Sequence, residues 1–195
     1  ITEDYLQQKY PRPKDMESLF IVPNFLPTAD VLNQIKNLNQ GEALVYEDEL
    51  LAARVNMKDF GLHQIEKMTD ITEPLVFFKK PTDLFTFNEE AINFDFELLT
   101  KGRVSQELSP TNGFLGDPSD LFIEKGAKIE FSTLNTRTGK IYIGKDTEVM
   151  EGSNLRGPIA LCDHATIKLG AKVSGSSTIG PHCKVGGEVS DIVIF

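Results

Sequence analysis

The chain has 195 residues, of which 40% are apolar, and a formal net charge of −9. That length allows one large domain or two small ones. No apolar run approaches the ~18 residues that suggest a membrane-spanning helix, and no basic face stands out to hold a nucleic-acid polymer. The acidity is uneven. Residues 1–122 carry 11 Lys/Arg against 21 Asp/Glu, and residues 123–195 carry 9 against 8, so a boundary is expected near residue 122. The opening, ITEDYLQQKYP, is acidic and polar, unlike a secretory signal. Cys162 and Cys183 stand 21 residues apart, which fits a reducing cytoplasm better than a disulfide or metal framework. The missing initiator Met, and an end at SDIVIF with no capping helix, suggest a piece of a longer protein.

Thr2 is placed to cap a short helix over Glu3–Lys9 that Pro11 stops. Ser18–Val22 is a short apolar run that reads as a buried strand, parallel to its neighbours. Thr28 is the expected N-cap of a helix over Ala29–Asn39 with Val31, Leu32, Ile35 and Leu38 on one face, closed by Gly41. Leu44–Tyr46 and Leu50–Val55 form a hairpin around the acidic turn Glu47–Glu49. A divalent cation at that turn is the sharper reading; solvent-facing charge is the simpler one. A helical turn at Phe60–Met68 and a strand at Pro74–Phe78 follow, and His63 reads as a solvated surface residue. Asn88 is expected to cap a helix with Glu89 and Glu90 in its first turn and Ile92, Phe96 and Leu99 on one face, stopped by Gly102. Residues 105–120, rich in Ser, Pro, Gly and Asp, read as a linker.

From Ile143 the chain reads in sixes: IGKDTE, VMEGSN, LRGPIA, LCDHAT, IKLGAK, VSGSST, IGPHCK, VGGEVS. The first place is always a branched aliphatic: Ile143, Val149, Leu155, Leu161, Ile167, Val173, Ile179 and Val185. The fifth is small except at Ile159 and Val189. A period of six matches neither an amphipathic helix nor a lone alternating strand. It matches a three-walled prism in which each hexad is one wall and three hexads close a coil. IEKGAK at Ile123 and IEFSTL at Ile129 extend the pattern, with a two-residue insertion expected within Asn135–Tyr142. Gly144, Gly180 and Gly186 are expected to ease tight turns.

These hexads resemble the left-handed parallel β-helix of hexapeptide-repeat acyltransferases. The whole layout is similar to the bifunctional sugar-1-phosphate nucleotidyltransferase/acetyltransferase family. The closest stretches are GEALVYEDELLAAR, FDFELLTKGR and IYIGKDTEVMEGSNLRGP…IGPHCKVGGEV. The resemblance implies an α+β chain: an incomplete α/β nucleotidyltransferase-like domain over 1–104, a linker over 105–122, and a left-handed parallel β-helix over 123–195. It implies a transferase that joins a sugar 1-phosphate to a nucleoside triphosphate with Mg²⁺, acetyl-CoA as a further co-substrate of the prism, and a homotrimer. The family's Gly-rich phosphate loop has no match here and would lie upstream of Ile1. Its metal-binding Asp has none either, since PNF follows SLFIV. Its basic RPG element is replaced by Gly186-Gly187, and its catalytic acetyltransferase His would lie beyond Phe195.

His164 and His182 sit 18 residues apart at the fourth place of their hexads, with Asp146 at the same place one coil earlier. They are the candidate catalytic column, since an Asp-oriented His can act as general base. The competing reading is an outward polar ladder. Arg156 and Lys184 are candidate substrate-binding cations for a phosphate, or else ordinary solvated charges. No metal-ligating set is assigned. Cys183 is expected to point into the core as an inert thiol and Cys162 to face outward. The alternative functions are a non-catalytic trimerising or regulatory β-helix module, and a hexapeptide acyltransferase working from acetyl-CoA.

Overall fold

The computed structural model describes residues 3–11, 17–56 and 64–195. Thr2, His63 and the first four residues, 60–63, of the turn expected at Phe60–Met68 lie outside them. The chain divides into two compact units, Ile1–Lys79 and Lys80–Phe195, and its overall class is mixed α+β.

The first unit is built on a four-stranded sheet of β1 (Glu17–Ile21), β4 (Glu49–Asn56), β3 (Glu42–Tyr46) and β5 (Lys67–Asp70), in that spatial order. Strand β1 corresponds to the run at Ser18–Val22 but pairs antiparallel with β4 at the sheet edge. It is not a parallel buried strand, and Leu19 and Ile21 stay exposed. The hairpin forms as expected: β3 and β4 are antiparallel, and Glu47 and Asp48 both take positive φ, the twist a two-residue turn needs. Met68 lies in β5, a strand parallel to β3, rather than in a helical turn. Helix α1 (Ala29–Lys36) starts where Thr28 accepts a bond from the Val31 N–H at 3.2 Å, and Thr28 Oγ1 donates to Glu73 at 2.8 Å. Val31, Ile35 and Leu38 are buried with Phe25, Leu44, Leu51, Ala52 and Ile71. A two-stranded antiparallel ribbon of β2 (Phe25–Leu26) and β6 (Val76–Phe77) closes this core.

The second unit holds the short helix α2 (Asp83–Thr86), helix α3 (Asn88–Thr100) and the prism. The prism has three parallel sheets. The first wall stacks β7 (Gly113–Leu115), β10 (Thr133–Asn135), β13 (Asn154–Arg156), β16 (Lys172–Ser174) and β19 (Glu188–Ser190). The second stacks β8 (Leu121–Ile123), β11 (Ile141–Ile143), β14 (Ile159–Leu161), β17 (Ser177–Ile179) and β20 (Val193–Ile194). The third stacks β9 (Lys128–Ile129), β12 (Glu148–Val149), β15 (Thr166–Ile167) and β18 (Lys184–Val185).

The aliphatic ladder fills the tube. Ile143 pairs with Leu161 and Leu161 with Ile179, and none of the three is exposed. Small fifth-place residues carry their own hydrogen bonds into this apolar interior: Thr147 Oγ1 donates to the Cys162 carbonyl at 3.0 Å and Ser153 Oγ to the Lys168 carbonyl at 3.1 Å. Without such partners each buried hydroxyl would be a net cost. Ile159 fits because it shares the corner before the second wall with Leu121 and Ile141, where large residues recur.

Register departs from strict sixes in two places. Leu134, not Asn135, stacks on Leu155, so the segment from Ile129 is one residue short and the insertion before Ile143 is three residues. A turn at residues 137–138 takes it up. In the last coil Val189 stacks on Val173 and Ile194 on Ile179, so the hexad at Val185 is cut short. That explains the large residue at its nominal fifth place: Val189 belongs to the next wall. Gly144 and Gly180 are not at turns of positive φ. A Cβ there would stand 2.7 Å from the Asp163 N and 2.6 Å from the Ile194 carbonyl oxygen, so close coil stacking requires glycine.

The stretch 105–122, read from sequence as a linker, holds two strands, β7 and the start of β8, and a plug over the first coil. Leu108 packs on the prism core. The Ser105 hydroxyl accepts from Ile123 N–H at 2.9 Å, and Gln106 both accepts from Gly126 N–H and donates to the Ala127 carbonyl at 2.8 Å. Asn112 accepts from Ser132 N–H and donates to the Ile129 carbonyl. These side chains satisfy backbone groups that the open end of a solenoid would leave unpaired.

Candidate functional site

The residues singled out from the sequence fall on different parts of the prism. His164 and His182 stack as expected, with ring centroids 4.8 Å apart and planes 9° from parallel. Both are exposed. Their backbone shows why they are there. Gly126, Asp146, His164 and His182 occupy one corner, and all four have positive φ, between 54° and 89°. Glycine tolerates that conformation freely, and Asp and His are among the few other residues enriched in it. The Asp146 carboxylate leans toward Gly126, where an added Cβ would run into Oδ1, on the opposite side from His164. Among the described residues no hydrogen bond joins Asp146 to either imidazole. The corner conformation therefore accounts for the column without an orienting pair. Gly126, at the fourth place of IEKGAK, was the sequence signal for it.

Arg156 ends β13 on the first wall and Lys184 begins β18 on the third. The two cations do not share a wall and do not converge on one phosphate. Cys183 packs, partly buried, against the prism core. Cys162 is half-buried, and burial, with Asp163 adding to it, pushes its thiol up and away from nucleophilic thiolate.

The structure brings together a set that sequence reasoning missed. The outward side of the second wall carries Phe122, Tyr142, Ala160 and Thr178, and α3 lies along it. Asn88 is not the N-cap. It is the first helical residue, buried, and its Nδ2 donates to the Ser176 carbonyl at 2.5 Å while its Oδ1 accepts from Thr178 Oγ1 at 2.8 Å. Ile92 and Phe96 follow on the same face and are buried, whereas Leu99 is 46% exposed and points away. Lys140 sits over the Phe96 ring at 4.9 Å and pairs with Glu97. Past the helix, Arg103 pairs with Glu124 at 2.7 Å and lies over Phe122 at 5.2 Å, and Tyr142 donates to Glu124 at 2.8 Å. Desolvation pushes Glu124 up, but the bonds from Arg103 and Tyr142 outweigh it and leave its carboxyl below the ordinary value. Burial, then the bond to Glu124, raises Tyr142 well above the usual phenol range.

A family model described as sugar nucleotidyl transferase matches residues 1–104, more than half of the chain. The chain belongs to the sugar nucleotidyl transferase family. The family segment extends through α3 and Arg103, so its last helix is the one that sheathes the second wall. No curated protein matches the chain. No helix among the described residues is long and apolar enough to cross a membrane, and none of their His, Cys, Asp and Glu side chains form a cluster of three that could hold a metal ion.

Proposed function

We propose that the chain is part of a sugar-1-phosphate nucleotidyltransferase, which joins a sugar 1-phosphate to a nucleoside triphosphate and releases pyrophosphate. The observation that carries this reading is the family match over 1–104, continuous with a helix packed on a hexapeptide prism. Mg²⁺ would enter with the triphosphate. Such an ion needs only one or two carboxylates besides substrate phosphates, and no residue of this chain is assigned to it. Free cysteines fit a cytoplasmic, reducing setting. The test is pyrophosphate release from the intact protein with Mg²⁺, a panel of nucleoside triphosphates including UTP and dTTP, and a panel of sugar 1-phosphates. Release that needs one matched pair supports the reading; no release from any pair defeats it.

For the prism, the unoriented imidazoles favour a non-catalytic assembly module over acetyl transfer from acetyl-CoA. We propose that it forms a homotrimer through the first and third walls, which α3 leaves bare. Sedimentation at several concentrations checks the trimer. Acetyl-CoA turnover lost in His164→Ala or His182→Ala would restore the acyltransferase reading.

A further inference from the structure

A notch of about 300 Å³ opens where the start of α3 meets the corner between the first and second walls. Glu89, Thr138, Arg156, Ser176 and Asp191 line it, over a floor of Gly157, Pro158 and Gly175. Two of its polar groups are committed. Asp191 accepts from Ser176 N–H at 3.0 Å and from Ser190 Oγ at 2.5 Å, and Thr138 Oγ1 donates to the Gly157 carbonyl at 2.6 Å. Three are not. Among the described residues the Arg156 guanidinium, the Glu89 carboxylate and the Ser176 hydroxyl have no partner.

We propose that this notch binds a neutral, hydroxyl-rich ring, a free pyranose sugar, between α3 and the prism. A fan of donors on Arg156, an acceptor on Glu89 and a hydroxyl on Ser176 that serves as either match adjacent ring hydroxyls, each of which donates and accepts. Charge decides against the phosphate first expected at Arg156. Glu89 and Asp191 line the same space and would repel an anion, while the guanidinium repels a metal ion. The volume stands at the small end for ligand sites, enough for one ring and not for a nucleotide. Choosing a sugar among polyols rests on the nucleotidyltransferase reading above.

The test is saturation-transfer NMR and calorimetric titration of the full chain with glucose, mannose, galactose and N-acetylglucosamine at millimolar concentration, alongside glucose 1-phosphate. The expected result is binding of at least one neutral sugar, weakened at least about tenfold by Arg156→Ala and by Glu89→Gln, with unchanged melting of either variant. The bound sugar should also raise the melting temperature, because it bridges helix and prism. No neutral-sugar binding overturns the proposal, as does binding indifferent to both variants, or binding of the phosphate alone through Arg156. Pyrophosphate release from the same preparation separates the two claims. Release without Arg156-dependent sugar binding rejects the notch and leaves the enzyme reading standing; the converse does the opposite.

Discussion

The second wall and the first wall of the prism share one interior and differ outside. Beneath both runs the same ladder of aliphatics, and Leu155 and Leu161 are equally buried. Outward, the second wall shows Phe122, Tyr142, Ala160 and Thr178, while the first shows Thr133, Asn154, Lys172 and Glu188. Helix α3 lies on the apolar face and leaves the polar one bare. The hexad's first place sets the fold, and its outward residues set what the fold carries.

If that division holds, damage to the ladder should ignore which wall is struck. Leu155→Ala and Leu161→Ala should each cost about 2–5 kcal/mol in urea unfolding, and a clear gap between them would mean that α3 supports the tube itself. The outer faces should respond unequally. Asn88→Ala takes the partner from the Ser176 carbonyl and from the Thr178 hydroxyl and should cost about 1–3 kcal/mol. Asn154→Ala, exposed on the first wall, should stay within about 0.5 kcal/mol.

A smaller effect is expected with acid. Glu124 titrates below its ordinary 4.5 in the folded chain. Its contribution is therefore complete above pH 4.5 and is lost as pH falls from there through the folded value. Melting curves from pH 6 down to about pH 3 should show Glu124→Gln less acid-sensitive than wild type. Glu42 behaves likewise in the first unit: the Asn39 N–H, then Lys67, draws it down to about 2. The smallest effect belongs to the bare wall. Lys172 and Glu188 pair at 3.1 Å but are 62% and 76% exposed, so breaking the pair should cost no more than about 1 kcal/mol.

Legibility followed the same division. The ladder from Ile143 could be read because each wall repeats one steric demand. Thr28 could be read because a cap acts within three residues. The plug at Ser105, Gln106 and Asn112 could not, since its bonds reach 17 to 21 residues along the chain and leave no period. Asn88 reads as a cap in the sequence because its residue type and its acidic followers suit one. Only the tertiary fold shows its amide turned onto the prism. The shortened last coil was hidden because Val189 satisfies an aliphatic pattern in either register. For the imidazole column the clue was present at Gly126 and Asp146, where backbone conformation rather than chemistry links the residues.

Helix α3 belongs to the prism as a sheath on its second wall. Hydrogen–deuterium exchange of the intact chain, with and without Asn88→Ala, tests this most directly. Amides of residues 92–100 should be protected in the wild type and become exposed to exchange in the variant, while those of Leu155 and Val173 stay protected. Wild-type α3 amides that exchange as fast as those of an unpacked helix, beside a protected second wall, would contradict it.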